Sequence, residues 1–273
     1  MSTIKNPILL EGKPLNYMGG VFCLPETESG AGYCTEYQVV YDAFNSKPEE
    51  SVANAQNTMV QTLVDASLWG GRLDLFYVLA NDASDNALIN WLNPGTNNLT
   101  RVGSSLPFVA YEGFTGKADS ASWLNSGWNP KTAGGHFELN NCHLGTYQRI
   151  NQEENFVGCA NLEGNLMAAL LPKISNGFYI RMNDEDMQST VCTNGVGLFI
   201  GGRPNSSSNK MWSINGSYVT ASRANTIAIA NDQMKFATGS NQYSFGFAGG
   251  YLNAIDVSIL YYSIKTYMDS NGK

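Results

Sequence analysis

Charge is scarce in this sequence. Asp, Glu, Lys and Arg make up 14% of 273 residues, against the quarter usual for soluble domains. Asn, Ser, Thr and Gly take their place, so the surface is polar without being ionic. Disorder is excluded, because it needs high charge and few aromatics, and aromatics here are 11%. The net charge of −7 leaves no basic footprint for nucleic acid. Histidine is scarcer still, with only His136 and His143. No CxxC pair exists among Cys23, Cys34, Cys142, Cys159 and Cys192, so neither a zinc ribbon nor a thioredoxin-like site is read. An odd count at irregular spacing reads as small buried hydrophobes made in a reducing cytosol. Met1–Pro7 lacks the basic and apolar regions of a secretory signal, and no apolar run approaches a membrane span. Export by a signal peptide is therefore not expected.

What is present is punctuation. Asn176-Gly177, Asn194-Gly195 and Asn215-Gly216 stand between short apolar or alternating segments. Asn-Gly accepts the positive φ of a tight hairpin, so these turns predict a meander of antiparallel strands, a β-sandwich or jelly roll. Phe108–Phe114, Ala121–Trp128, Phe137–Tyr147 and Glu154–Leu162 read as further short strands, and Gln242–Gly249 as the last.

Ahead of them, Tyr37–Gly71 reads as a helix. Ser46 and Glu49 have the spacing of a capping box, Val52, Ala55, Met59, Leu63 and Ala66 form a stripe, and Gly70-Gly71 is the stop. Arg72–Ala80 is apolar almost throughout and is buried as either type; Ser84–Leu92 is short enough for one more helical turn. Asn253 with Asp256 three residues on opens a terminal helix through Met268. The division expected is an extended arm 1–36, a helical segment 37–103 and a sandwich with a terminal helix over 104–273.

Chemical motifs are few. No strand carries the alternating carboxylates that glucanases on such sandwiches use as acid and nucleophile, so no catalytic residue is assigned. Asp184-Glu185-Asp186 is consecutive, hence split between faces, and reads as a solvated turn with a Ca²⁺ loop as the alternative. His136, Cys142 and His143 make a poor metal set, since neighbours on a strand face opposite ways. No nucleophile elbow or phosphate loop is visible, and no cofactor or metal is read. The Asn-x-Ser/Thr triplets at Asn98, Asn205 and Asn215 are what so Asn-rich a chain produces by chance. Trp123, Trp128, Tyr147 and Trp212 lie in or beside predicted strands and loops, where lectin-like domains place stacking platforms for sugar rings; core packing is the competing role for each.

Several segments in order carry a resemblance. YDAFNSKPEESVANAQNTMVQTLVDASLW, LDLFYVLA and ALINWLNPGT precede ASWLNSGWNP, the pair GVGLFIGGRP and KMWSINGSYV, and the ending YSFGFAGGYLNAIDVSILYYSIKTYM. The later three resemble the concanavalin A-like, laminin-G-like jelly roll. The whole order over 37–273 resembles tail-fibre-type virion proteins of tailed bacteriophages. The resemblance implies a non-enzymatic virion component (tail fibre, spike or head decoration) assembled in the host cytoplasm. It would attach to other virion subunits through the arm, form a homo-oligomer and contact host surface glycans. A polysaccharide-degrading glycoside hydrolase on the same fold and a bacterial surface adhesin are the alternatives.

Overall fold

The computed structural model describes residues 32–117, 121–153, 167–184, 186–212 and 228–273 in full. It describes residues 9–10, 13–14, 16–18, 21–23, 159–160, 213 and 217–222 as backbone alone. Two short hairpins come first, β1 (Leu9–Leu10) with β2 (Lys13–Pro14) and β3 (Asn16–Met18) with β4 (Val21–Cys23). Helices α1 (Thr35–Ala43) and α2 (Glu50–Asp65) follow, then β5 (Leu73–Val78), a 3-10 turn at Asn86–Leu88, β6 (Thr100–Val102), β7 (Phe108–Val109), β8 (Gly113–Thr115) and β9 (Trp123–Asn125). The sandwich strands are β10 (Cys142–Gln148), β11 (Cys159–Ala160), β12 (Met167–Ile174), β13 (Gly177–Asp184), β14 (Gln188–Val191), β15 (Gly197–Asn205), β16 (Ser208–Ser213) and β17 (Ser217–Ser222). After β18 (Lys235–Phe236) and β19 (Gln242–Gly249) the chain closes with α3 (Ala254–Ser270).

The protein is mainly β, an antiparallel sandwich with helices at both ends of the chain. The large sheet runs β17-β16-β15-β10-β19-β8-β7, and β5 shares the far edge of β19 with β8. The second sheet is β11-β12-β13-β14, and a small third one is β18-β9-β6. Alternation along the central strands of the large sheet sends side chains to two different cores. From β5, Leu75 and Tyr77 enter the core between the two larger sheets, while Phe76 and Val78 enter the core beneath the helices. Phe199 likewise meets Phe178 at 5.2 Å across the sandwich, and Ile200 turns to the helices. This double burial explains why Arg72–Ala80 shows no alternation of polarity: both faces are covered. Close approach fixes Gly145, where a Cβ would stand 2.1 Å from the ring of Phe247 on the neighbouring strand.

The helical layer departs from expectation at its boundaries. Residues 44–49 separate two helices. Ser46 does not cap α2; its carbonyl accepts from Asn86 Nδ2 (2.7 Å), and Glu49 becomes the N-cap with no side-chain hydrogen bond. Gly70-Gly71 does not end α2 either. Leu68 N–H donates to Leu63 O (2.9 Å) and Ser67 N–H to Val64 O (2.8 Å), a Schellman motif with Ser67 at φ 55°. At the other end the expectation holds: Asn253 accepts from Asp256 N–H while Asp256 accepts from Asn253 N–H. Met59, Val60 and Leu63 of α2 meet Val257, Leu260 and Ile264 of α3 in one core. Gln56 is buried among them, accepting from the Tyr37 hydroxyl (2.6 Å) and donating to Asn81 Oδ1 (3.1 Å).

The three Asn-Gly pairs have three different fates. Ile174 pairs with Gly177, so the β12–β13 turn is Ser175-Asn176, with Ser175 at φ 53° and Gly177 already in the strand. Asn194-Gly195 makes no hairpin: it lies between β14 of one sheet and β15 of the other, with Asn194 Oδ1 accepting from Val196 N–H (3.1 Å). Asn215-Gly216 lies outside the described residues, although β16 and β17 pair up to Ser213↔Ser217.

The solvated turn read at Asp184-Glu185-Asp186 fails at its first residue: Asp186 is exposed and Glu185 lies outside the described residues, but Asp184 is buried. It ends β13 facing inward, 3.5 Å from Arg203 Nη1, and both side chains are fully buried. The guanidinium also donates to Met182 O (2.9 Å), Ser206 O (2.9 Å) and Asn140 Oδ1 (3.2 Å), the bonds a buried charge requires. Cys142 and His143 face opposite cores, Cys142 between the sheets and His143 against Phe247. Cys34 and Cys192 carry free thiols. Among the described residues no group of three or more His, Cys, Asp or Glu could hold a metal ion, and no helix is long and apolar enough to cross a membrane.

Candidate functional site

The small sheet β18-β9-β6 lies beside the sandwich and has one buried and one exposed face. Leu124 is fully buried, and its cross-strand partners Phe236 and Arg101 lie on the same face. Phe236 packs on Tyr77 at 5.4 Å, and the Arg101 guanidinium covers the Phe114 ring at 5.5 Å. Residues one step along each strand must then turn outward: Thr100, Val102, Trp123, Asn125 and Lys235.

Adjoining loops extend this face. Asn125 Nδ2 donates to Gln233 Oε1 (2.7 Å), and Asn129 Nδ2 donates to Asn231 Oδ1 (3.0 Å). Beneath these amide pairs, Ser126 N–H and Oγ both donate to Met234 O, and Met234 N–H donates to Trp128 O (2.8 Å), so 125–129 and 231–235 form one rigid rim. Asn125 Oδ1 accepts from Gly127 N–H and Asn129 Oδ1 from Lys131 N–H, two Asx turns that hold the amides at the surface. Lys235 Nζ lies 5.5 Å from the Trp123 ring centroid and 2.8 Å from Asp232 Oδ2. The pair cancels its own charge, leaving an electrically neutral face.

The four aromatic candidates separate. Trp123 is half-buried at the centre of the outward face. Trp128 is 4% exposed in the core between the sheets, edge-on to Phe137 at 5.8 Å, an anchor for the rim. Trp212 is 3% exposed against Tyr251, on the helical side of the large sheet. Tyr147 occupies that side too, near Phe245, its hydroxyl pKa raised by burial and then by neighbouring Tyr261. The amides and the Lys235–Asp232 pair carry no motif; their one trace in the sequence is the density of Asn, Gln and Asp in NSGWN and NDQMK.

This arrangement is suited to binding a neutral, hydroxyl-rich ligand. A partly exposed indole can offer its π system to the apolar face of a sugar ring. Asn125 and Asn129 each use one N–H and their oxygen here, which leaves a second amide N–H and the oxygen's other lone pair, so hydroxyls can be bridged at the rim.

No family model matches the chain, and no curated protein does. Among solved structures it is similar to the botulinum neurotoxin serotype D binding domain, at 13% identity over 70% of this chain and 51% of that one, with a TM-score of 0.50. A botulinum neurotoxin type C structure described by cell entry dependent on two ganglioside molecules matches 71% of this chain and 52% of its own at 13% identity, TM-score 0.48. The chain spans about half the length of these domains. At such identity the likeness concerns architecture, and what it establishes is that this chain is folded as the β-sandwich that forms part of such binding domains.

Proposed function

We propose that the protein is a non-enzymatic glycan-recognition module of a bacteriophage particle, a tail fibre, spike or head decoration assembled in the host cytoplasm. The observation that carries the glycan reading is the neutral outward face of β18-β9-β6, with Trp123 at its centre and paired amides at its rim. A neurotoxin binding domain is built on a similar sandwich, and recognition is the use carried over from it. The order of segments over 37–273 supports the virion reading, with 1–36 as the attachment to other subunits. The reading assigns no catalytic residue, and Asp184 is held by a buried arginine.

The test is an array of bacterial capsular, cell-wall and lipopolysaccharide glycans. The protein is expected to be retained by a subset, and Trp123→Ala to lose at least about tenfold in affinity with an unchanged melting temperature. Retention equal for both proteins, or none for either, overturns the reading. Mass spectrometry of purified particles tests the virion assignment separately.

A further inference from the structure

The four-stranded sheet ends at β14, whose neighbour among the described strands is β13. Sheet edges are normally blunted by lysine, proline, bulges or a covering segment. This edge reads Gln188-Ser189-Thr190-Val191, with neither charge nor proline. Its side chains alternate. Gln188 is buried beside its partner Ile180, whereas Met187, Ser189 and Val191 face solvent, Val191 at 82% exposure and Met187 at 41%.

The backbone alternates as well. Cys192 N–H donates to Asn176 O (2.9 Å), toward β13. In an antiparallel ladder the next such residues are Thr190 and Gln188, so the N–H and C=O of Val191, Ser189 and, by continuation, Met187 address the free edge. The residues with apolar or small outward side chains are thus the ones whose hydrogen-bonding groups point away from the sheet.

We propose that β14 pairs antiparallel with β14 of a second copy about a two-fold axis through Ser189, joining two four-stranded sheets into one continuous sheet. In that register Ser189 meets Ser189, and Met187 of each copy lies opposite Val191 of the other. Every pair exchanges both hydrogen bonds. The occupant is a second copy because the segment is complementary to itself: the two exposed apolar residues stand equally far on either side of Ser189. An edge without charge also spares the contact the repulsion that a net −7 per chain imposes elsewhere. Five residues per strand cover far less than the roughly 1,600 Å² of a standard interface, so association is weak and concentration-dependent.

Sedimentation equilibrium of the full chain, from about 5 µM to about 1 mM, reads this directly. The wild type is expected to pass from monomer toward dimer. Ser189→Pro, which removes the central N–H without touching a bond to β13, and Val191→Lys are expected to stay monomeric at the highest concentration with the wild-type melting temperature. Should the proline variant fail to fold, the lysine variant carries the test. A wild type monomeric throughout, or a Val191→Lys protein that associates like the wild type through another surface or partner, overturns the proposal.

Discussion

Arg203 and Asp184 lie between the two larger sheets without exposure to water, and their pairing costs desolvation on both sides. Removing one partner leaves the other charge stranded. Arg203→Met is therefore expected to destabilise the fold by about 3–5 kcal/mol, and adding Asp184→Leu to recover much of that loss; chemical denaturation of the three proteins checks it. His143 supplies a pH dependence. Burial lowers its pKa from 6.5 to about 4, opposed by its hydrogen bond with Gly250 O. The unfolded chain takes the proton first as pH falls below 6.5, so His143 costs nothing above that value. It withdraws up to about 3 kcal/mol between 6.5 and 4, below which the folded form protonates too. Denaturation midpoints of His143→Asn should fall less steeply than the wild type across that window, and parallel slopes would contradict it. At this scale the sequence was a poor guide. Asp184 looked solvated because nothing in a run of three acidic residues reveals an arginine nineteen positions on, opposite it across the sandwich.

Among elements, ends were harder to read than identities. Asn253 was legible because its partner Asp256 is local, and the capping box formed. Ser46 had the same spacing but was held instead by Asn86, forty residues away. Similarly, the stop of α2 falls on Ser67 rather than on the glycines after it, since burying Leu68 against Leu63 fixes where the chain must turn. Ser67 holds φ 55° at some cost, so Ser67→Gly should raise stability by about 1 kcal/mol, seen as a higher melting temperature. A lower one would mean the serine side chain contributes more than its strain costs. Asn176-Gly177 marked a true hairpin one residue out of register, because the pairing of β12 with β13 places Gly177 in the ladder.

For the molecule as a whole, the antiparallel sandwich was legible from short strands and frequent turns, α2 from its periodicity and α3 from its capping box. The burial of the central sheet on both faces was not, because an apolar run such as LDLFYV is equally consistent with a helix. Nor was the site. Trp123, Trp128, Tyr147 and Trp212 read alike in sequence, and only the alternation of β9 over Leu124 leaves Trp123 on an outward face while Trp128 is drawn into the core. Glycan recognition is proposed to take place there. It is tested most directly by following the indole N–H signals of the five tryptophans by NMR while a glycan retained on the array is titrated in. The Trp123 signal is expected to move with ligand concentration while those of Trp128 and Trp212 stay in place. A saturable shift centred on Trp212, with Trp123 unmoved, would contradict it.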